Sequence, residues 1–233
     1  MVLAIFLAVF TQSLAGFGSA LIAMALLPGI VGIQIATPLV ALVAGFIEIF
    51  LLARYRTSFK LSSIWKVALA SIFGIPIGVV ALKSVDERII LGILGAVIAG
   101  YALYALLDLR LPQLQHPAWA LGFGFIAGLL GGAYNTSGPP VIVYGSCRRW
   151  QPAEFKSNLQ GFFLLNSAVV IASHVLSHNV TPVVLNNFLI SLPAIGLGLL
   201  AGISLDKFIN PVIYRKIVLI LLVIMGLRLI LTA

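Results

Sequence analysis

The chain has 233 residues, 61% hydrophobic and only 9% charged, with a mean hydropathy of +1.17. A soluble domain carries about 25% charged residues to coat its surface, so a soluble fold is excluded and an integral membrane protein is expected. The net charge of +8 lies between the apolar runs, where it sets orientation in a bilayer rather than a nucleic-acid surface.

Eight apolar segments follow one another: Val2–Leu27, Ile35–Ala53, Ile64–Leu82, Ile89–Leu107, Ala118–Cys147, Phe155–Leu176, Val183–Leu205 and Ile213–Thr232. Apolar runs of about 20 residues fit membrane helices, not the short alternating strands of a barrel. The fold class expected is all-α, in one integral membrane domain. Met1-Val2 leads into the first segment without a basic stretch or a small-residue cleavage site, so no removable signal peptide is expected. Cys147 is the single cysteine, which rules out an intrachain disulfide and a multi-cysteine metal site.

The first and fifth segments are interrupted. Gln12-Ser13-Leu14-Ala15-Gly16-Phe17-Gly18-Ser19 breaks the first, and Gly131-Gly132-Ala133-Tyr134-Asn135-Thr136-Ser137-Gly138-Pro139-Pro140 breaks the fifth. In hydrocarbon, irregular backbone survives only where protein covers it or it lines a cavity. Broken segments at matching places in two halves point to a transporter's binding site. The halves match at a constant offset of 120: Gly18 with Gly138, Ile22 with Ile142, Thr37 with Ser157, Leu39 with Leu159, Ser71 with Ser191, Gly78 with Gly198, Ala81 with Ala201 and Asp86 with Asp206. Two repeats are expected, residues 1–109 and 117–233.

Charge placement bears on their orientation. If each broken segment crosses the membrane once, the 14 Lys and Arg divide 8 to 6 between the two sides. If each is a re-entrant hairpin, Arg54, Arg56, Lys60, Lys66, Arg110, Arg148, Arg149, Lys156, Lys207, Arg215 and Lys216 share one side, and Lys83, Arg88 and Arg228 the other. The second division has the asymmetry of the positive-inside rule. Each repeat is then a re-entrant broken-helix hairpin plus three transmembrane helices. Three crossings is an odd number, so the repeats are inverted, with both termini outside.

Each break leads into a short helical stretch, Ser19–Leu27 and Pro139–Cys147. Glycine permits the turn, proline suits the first helical position, and Ser19, Asn135, Thr136 and Ser137 are natural N-caps. A helix N-terminus presents free amides and about half a positive charge, so two such ends meeting near the midplane would hold an anion without a lysine. The candidate substrate-binding residues are Gln12, Gly16, Phe17, Gly18 and Ser19 from the first break and Asn135, Thr136, Ser137, Gly138 and Pro139 from the second. Gly128, Gly131, Gly132, Gly196, Gly198 and Gly202 are expected instead to let helices pack closely.

Ser137-Gly138-Pro139-Pro140-Val141-Ile142-Val143-Tyr144, after Gly-Leu-Leu-Gly-Gly at 128–132, resembles the second-repeat signature of the TauE/SafE family of sulfite exporters. Gly16-Phe17-Gly18-Ser19, followed by Ala-Leu-Ile-Ala-Met, resembles its first-repeat signature. The resemblance covers nearly the whole chain. It implies export of a small sulfur oxyanion or organosulfonate, such as sulfite or sulfoacetate, across a bacterial inner membrane. Asn135-Thr136 is more polar than the small apolar pair expected there, which leaves the identity of the anion open.

Polar side chains within membrane segments usually face a bundle interior. Asn166 is expected near the midplane beside the hairpin tips. Lys156 and Gln160, with Asn166 the further candidate substrate-binding residues, share one helical face; Lys156 lies near the cytoplasmic end and serves either the site or the interface, by snorkelling. Glu48 is the most apolar-embedded carboxylate, a candidate for proton coupling, with an ion pair to Arg54 or Arg56 as the slightly favoured alternative. Gln34 and Thr37-Pro38 are expected at the outer mouth. His174 and His178, four apart, are expected to be solvated loop residues rather than metal ligands, and no metal or cofactor is called for. Trp65, Trp119 and Trp150 read as interfacial anchors, Arg148 and Arg149 as topology anchors, and Cys147 as a buried small residue.

The function expected is a secondary transporter exporting a small sulfur-containing anion by alternating access, with coupling to protons or facilitated diffusion both open. No Walker motif is present. An anion channel using the same tips is the nearest alternative; an intramembrane enzyme is further off, since Ser137 has no base suggested by the sequence. The partners are the anion and the lipid bilayer, with no nucleic acid; a homo-oligomer is left open.

Overall fold

The computed structural model describes residues 1–107, 111–205 and 208–232. Arg110, Asp206 and Lys207, which enter the repeat and charge comparisons, lie outside the described residues, as do the ends of both expected repeats at 109 and 233. Among the described residues the regular structure is helical throughout. The helices are α1 (Val2–Ala15), α2 (Ser19–Leu26), α3 (Pro28–Val31), α4 (Ile33–Tyr55), α5 (Leu61–Ser84), α6 (Glu87–Leu106), α7 (Ala118–Tyr134), α8 (Gly138–Cys147), α9 (Pro152–Leu176), α10 (Pro182–Leu205) and α11 (Pro211–Thr232). Both breaks in the sequence are breaks in helix. Several starts carry the expected signals: α9, α10 and α11 begin on proline, and the Asp86 carboxylate caps α6 by accepting from the Arg88 amide at 2.9 Å.

Five helices, α4, α5, α6, α9 and α10, are long and apolar enough to cross a membrane. Helix α11 has 22 residues but carries Arg215, Lys216 and Arg228. These cations lie toward its two ends, from where long side chains reach polar surroundings. The outward faces are apolar: Phe73, Ile77 and Val80 of α5 and Leu189, Leu197 and Leu200 of α10 are exposed. A contiguous apolar surface of this kind suits lipid, not water.

Helices do not pack in chain order. Helix α5 lies along α7, α10 along α1, α4 beside α9 and α6 beside α11. Glycine decides how close α5 and α7 come. A Cβ on Gly124, Gly128 or Gly132 would stand 2.3, 2.2 and 2.1 Å from the carbonyl oxygens of Val67, Ser71 and Ile75. Such backbone approach is how membrane helices gain dispersion contacts where no hydrophobic effect drives them together. Gly198 and Gly202 do the same for α10 against the Phe6 and Phe10 carbonyls of α1. Gly196 corrects the sequence reading: a Cβ there would meet nothing within 4 Å. Two residues turn a helix by about 200°, which puts Gly196 on the face opposite Gly198.

The chain is tied across itself at both ends of the bundle. At one, the Lys60 amide donates to Asn158 Oδ1 at 2.9 Å and its ammonium pairs with Glu154 at 3.3 Å. Arg148 donates there to the Leu114 and Gln115 carbonyls, at 2.9 and 3.0 Å. At the other, Lys83 donates to the Ser177 carbonyl at 2.7 Å. Trp65 and Trp119 are exposed at helix ends, whereas Trp150 packs edge-on against Tyr144 and Phe155. Cys147 is buried.

Candidate functional site

The first break is built on two glycines. Gly16 and Gly18 have φ of +82° and +105°, left-handed values that L side chains rarely adopt. They turn the chain from α1 into α2. Sequence reasoning expected Ser19 to cap its own helix; the cap comes instead from α1. Gln12 Oε1 accepts from the Ser19 amide at 3.2 Å and from the Ser19 hydroxyl. Two donors on one atom fix that amide's orientation and leave Gln12 Nε2 directed elsewhere. The next two amides, of Ala20 and Leu21, have no carbonyl a turn below them, as in any first turn.

The second break uses Asn135, at φ +56°, to end α7 with its amide bonded to the Gly131 carbonyl at 2.8 Å. Its side chain donates to the Thr37 carbonyl of α4 at 2.6 Å. Ser137 is the residue before α8 but makes no capping bond. Pro139 and Pro140 have no amide hydrogen. The free donors of this turn are therefore the amides of Ser137 and Gly138.

Both tips line one cavity of about 40 Å³. A single water needs about 10–15 Å³ on the same measure, so the space suits a few waters or one small polyatomic ion. Gln12, Phe17, Gly18 and Ser19 line it from the first break, and Asn135, Thr136, Ser137, Gly138 and Pro139 from the second. Helix α4 adds Glu48, and α9 adds Phe163, Asn166, Ser167 and Val170. Around this space Gln12 Nε2, Thr136 Oγ1, Asn166 Nδ2 and Glu48 Oε2 are buried without a protein partner. Buried polar atoms are otherwise almost always paired. Three of these four are hydrogen-bond donors.

Three expected site residues lie off the cavity. Gly16 presents its carbonyl to the Gln160 side-chain amide, and Gln160, fully buried, holds the turn from outside. Lys156 is exposed, with its ammonium 5.7 Å from the centre of the Tyr55 ring. Gly131 lines the cavity and seats Asn166, whose Oδ1 would be 2.9 Å from a Cβ there. Ser167 was missed. Its signal was available: Phe163, Asn166, Ser167 and Val170 recur at the spacing of one helix face.

Further expectations are corrected. Glu48 is buried and lines the cavity together with Ser167 rather than forming the ion pair allowed for with Arg54 or Arg56. Six residues separate it from Arg54, about 240° around the helix, and eight residues place Arg56 about 12 Å along it. Thr37 is not at a mouth. It is fully buried and accepts the Asn135 bond through its carbonyl. His174 is no loop residue either: it is fully buried, with Nδ1 2.9 Å from the Asn179 amide nitrogen, while His178 is exposed. Among the described residues no group of three His, Cys, Asp or Glu is gathered as for a metal.

These features define a multi-pass helical membrane protein with an internal polar site formed by two helix breaks. The family model for sulfite exporter TauE/SafE matches residues 1–229, and the chain belongs to that family. No curated protein and no solved structure gives a significant match.

Proposed function

We propose that the chain is a secondary transporter of the bacterial inner membrane that exports a small sulfur-containing anion, sulfite or a related organosulfonate, by alternating access. The observation that carries this reading is the set of three unpartnered buried donors, Gln12 Nε2, Thr136 Oγ1 and Asn166 Nδ2, around one small cavity between the N-termini of α2 and α8. An oxyanion offers acceptors for all three. It also gains from the two helix dipoles without a fixed cation that would hold it too tightly to release.

The same reading takes residues 1–109 and 117–233 as inverted repeats, each a re-entrant hairpin and three crossings. Two contacts support it. The Lys60–Glu154 ion pair sets the α4–α5 turn beside the start of α9, and the Lys83–Ser177 bond sets the end of α5 beside the end of α9. Were each broken segment to cross once, both pairs would be split across the membrane. The reciprocal packing of α5 on α7 and α10 on α1 agrees with a two-fold exchange of the halves. Rocking one half against the other around the tips would then expose the cavity to each side in turn.

The test is flux of labelled sulfite in proteoliposomes, competed by sulfonates and other sulfur oxyanions. Saturable flux, competed by one anion class, is the expected result. Absence of flux under any gradient would sink the assignment, and ion throughput at channel rates under voltage clamp would replace the transporter with a channel.

A further inference from the structure

Away from the central site, a larger cavity lies where α5 and α7 begin. The close approaches of Gly124 to Val67, Gly128 to Ser71 and Gly132 to Ile75 advance together along both helices, so α5 and α7 run in the same direction and start side by side. The space at their starts is about 230 Å³, against about 40 Å³ for the central cavity. Ser62, Trp65 and Lys66 line it from the first turns of α5, Pro117 from the start of α7, and Arg148 and Trp150 from the turn after α8. Both cations have donors to spare. Lys66 is half-buried and has no hydrogen bond or ion pair with a described residue; its ammonium stands 5.3 Å from the centre of the Trp65 ring. Arg148 donates to the Leu114 and Gln115 carbonyls through Nη1 alone, which leaves the hydrogens on Nε and Nη2. No carboxylate lines the space. Glu154 accepts from the Ser63 hydroxyl at 3.0 Å but is itself paired with Lys60.

The cavity adjoins the lipid-facing surface through Trp65. That residue heads a stripe with Leu69 and Phe73, each exposed, at four-residue spacing along α5. The other half of the chain has no equivalent. At the offset of 120 that relates the halves, Trp65 corresponds to Leu185, Lys66 to Asn186, Arg148 to Pro28 and Trp150 to Ile30. The shared helix pattern therefore does not require these two cations and two indoles.

We propose that this cavity binds the phosphate group of an anionic membrane lipid. The Arg148 guanidinium and the Lys66 ammonium supply charge-assisted bonds to the phosphate oxygens, and the two parallel helix starts add to the positive field. The indoles sit at headgroup level, beside the lipid glycerol, and an acyl chain follows Leu69 and Phe73 into the bilayer. In the empty site the Trp65 ring holds the Lys66 ammonium in place. The proposal needs the chain to span a membrane and is independent of which anion it carries.

Native mass spectrometry of the whole chain, released from detergent with phosphatidylglycerol or phosphatidylcholine added, tests it. One phosphatidylglycerol should bind ahead of further copies, and ahead of phosphatidylcholine, whose own cation offsets its phosphate. K66Q should weaken that first affinity about fivefold, and R148Q at least as much. R149Q removes a neighbouring charge that does not line the cavity, and should leave the affinity within about twofold. R148Q also breaks the bonds to the Leu114 and Gln115 carbonyls, so K66Q, whose side chain holds no other part of the chain, decides. Equal losses in K66Q and R149Q would reduce the effect to diffuse surface charge and overturn the site. Equal affinities for the two lipids would overturn it as well. Glycerol phosphate, a headgroup without chains, separates the two sources of phosphate. It should bind far more weakly than the lipid; Lys66-dependent binding as tight as the lipid's would make the ligand a soluble phosphate and overturn the lipid.

Discussion

The Asn135 side chain, at the second break, donates to the Thr37 carbonyl of α4 at 2.6 Å, and the Gln160 side chain of α9 donates to the Gly16 carbonyl at the first break. Each unwound turn is therefore pinned to a long helix of the other half of the sequence. These turns have lost their own ladder of hydrogen bonds, and in a membrane interior no water replaces it. Q160L should leave the Gly16 carbonyl buried and unpaired, at a cost of about 1–3 kcal/mol. Thermal unfolding in detergent checks this. A melting temperature equal to wild type would mean that the turn is held by something else.

The donors facing the cavity behave oppositely. Thr136 Oγ1 and Asn166 Nδ2 are desolvated without a protein partner, so folding pays for their burial and gains nothing in return. T136V and N166L remove that penalty while keeping the branching of the side chain. Both should match or exceed the wild-type melting temperature and yet weaken sulfite binding by about tenfold or more. A variant that lost stability and kept affinity would show that these groups serve the fold and not the ligand.

The glycine interface separates packing from function. G128A would drive a Cβ to 2.2 Å from the Ser71 carbonyl oxygen, whereas G122A, on the same helix, meets nothing within 4 Å. Overpacking against backbone costs about 1–3 kcal/mol or more, and alanine in an open helix position gains up to about 1 kcal/mol over glycine. G128A should therefore melt well below wild type and G122A at or above it. Similar melting temperatures for the two would contradict the close approach of α5 and α7.

Much of this was legible in the chain, and for identifiable reasons. The breaks stand out because polar and glycine-rich stretches are conspicuous against apolar helix, and α2 and α8 begin within one residue of where the sequence put them. Gly124, Gly128 and Gly132 recur every four residues and so declare a smooth face. Nothing in that spacing says that α5, rather than a sequence neighbour, fills it. Partner choice is set by shape across segments far apart in the chain. His174 misled because a histidine near the end of an apolar run reads as loop, while its partner Asn179 lies in the turn beyond. Glu48 misled because charge pairing was sought along the chain, whereas the helix brings Glu48 to the central cavity that α9 also lines.

Topology is open to a direct test. S58C and S177C sit in the turns after α4 and after α9, which the inverted arrangement puts on opposite sides of the membrane. A membrane-impermeant thiol reagent should label S58C from the cytoplasmic face only and S177C from the other. The native Cys147 is buried and contributes little background. Labelling of both from one face would sink the inverted repeats while leaving the cavity in place.

Glu48 bears on coupling. It lines the same cavity as the three donors, as does Ser167. An anion in that space and a charged carboxylate repel each other. The occupied state therefore favours a proton on Glu48, and the empty state releases it. Proton and anion then travel in the same direction, so a pH gradient should drive sulfite from the acidic to the alkaline side of a vesicle. E48Q keeps the shape but cannot release a proton. It should retain downhill sulfite flux and lose its response to the gradient. A wild-type response in E48Q would remove Glu48 from the coupling. The sign has a consequence for export: where the cell interior is the more alkaline side, the proton opposes outward movement. The outward gradient of the anion itself must then supply the drive, which fits a protein that clears a solute accumulating inside.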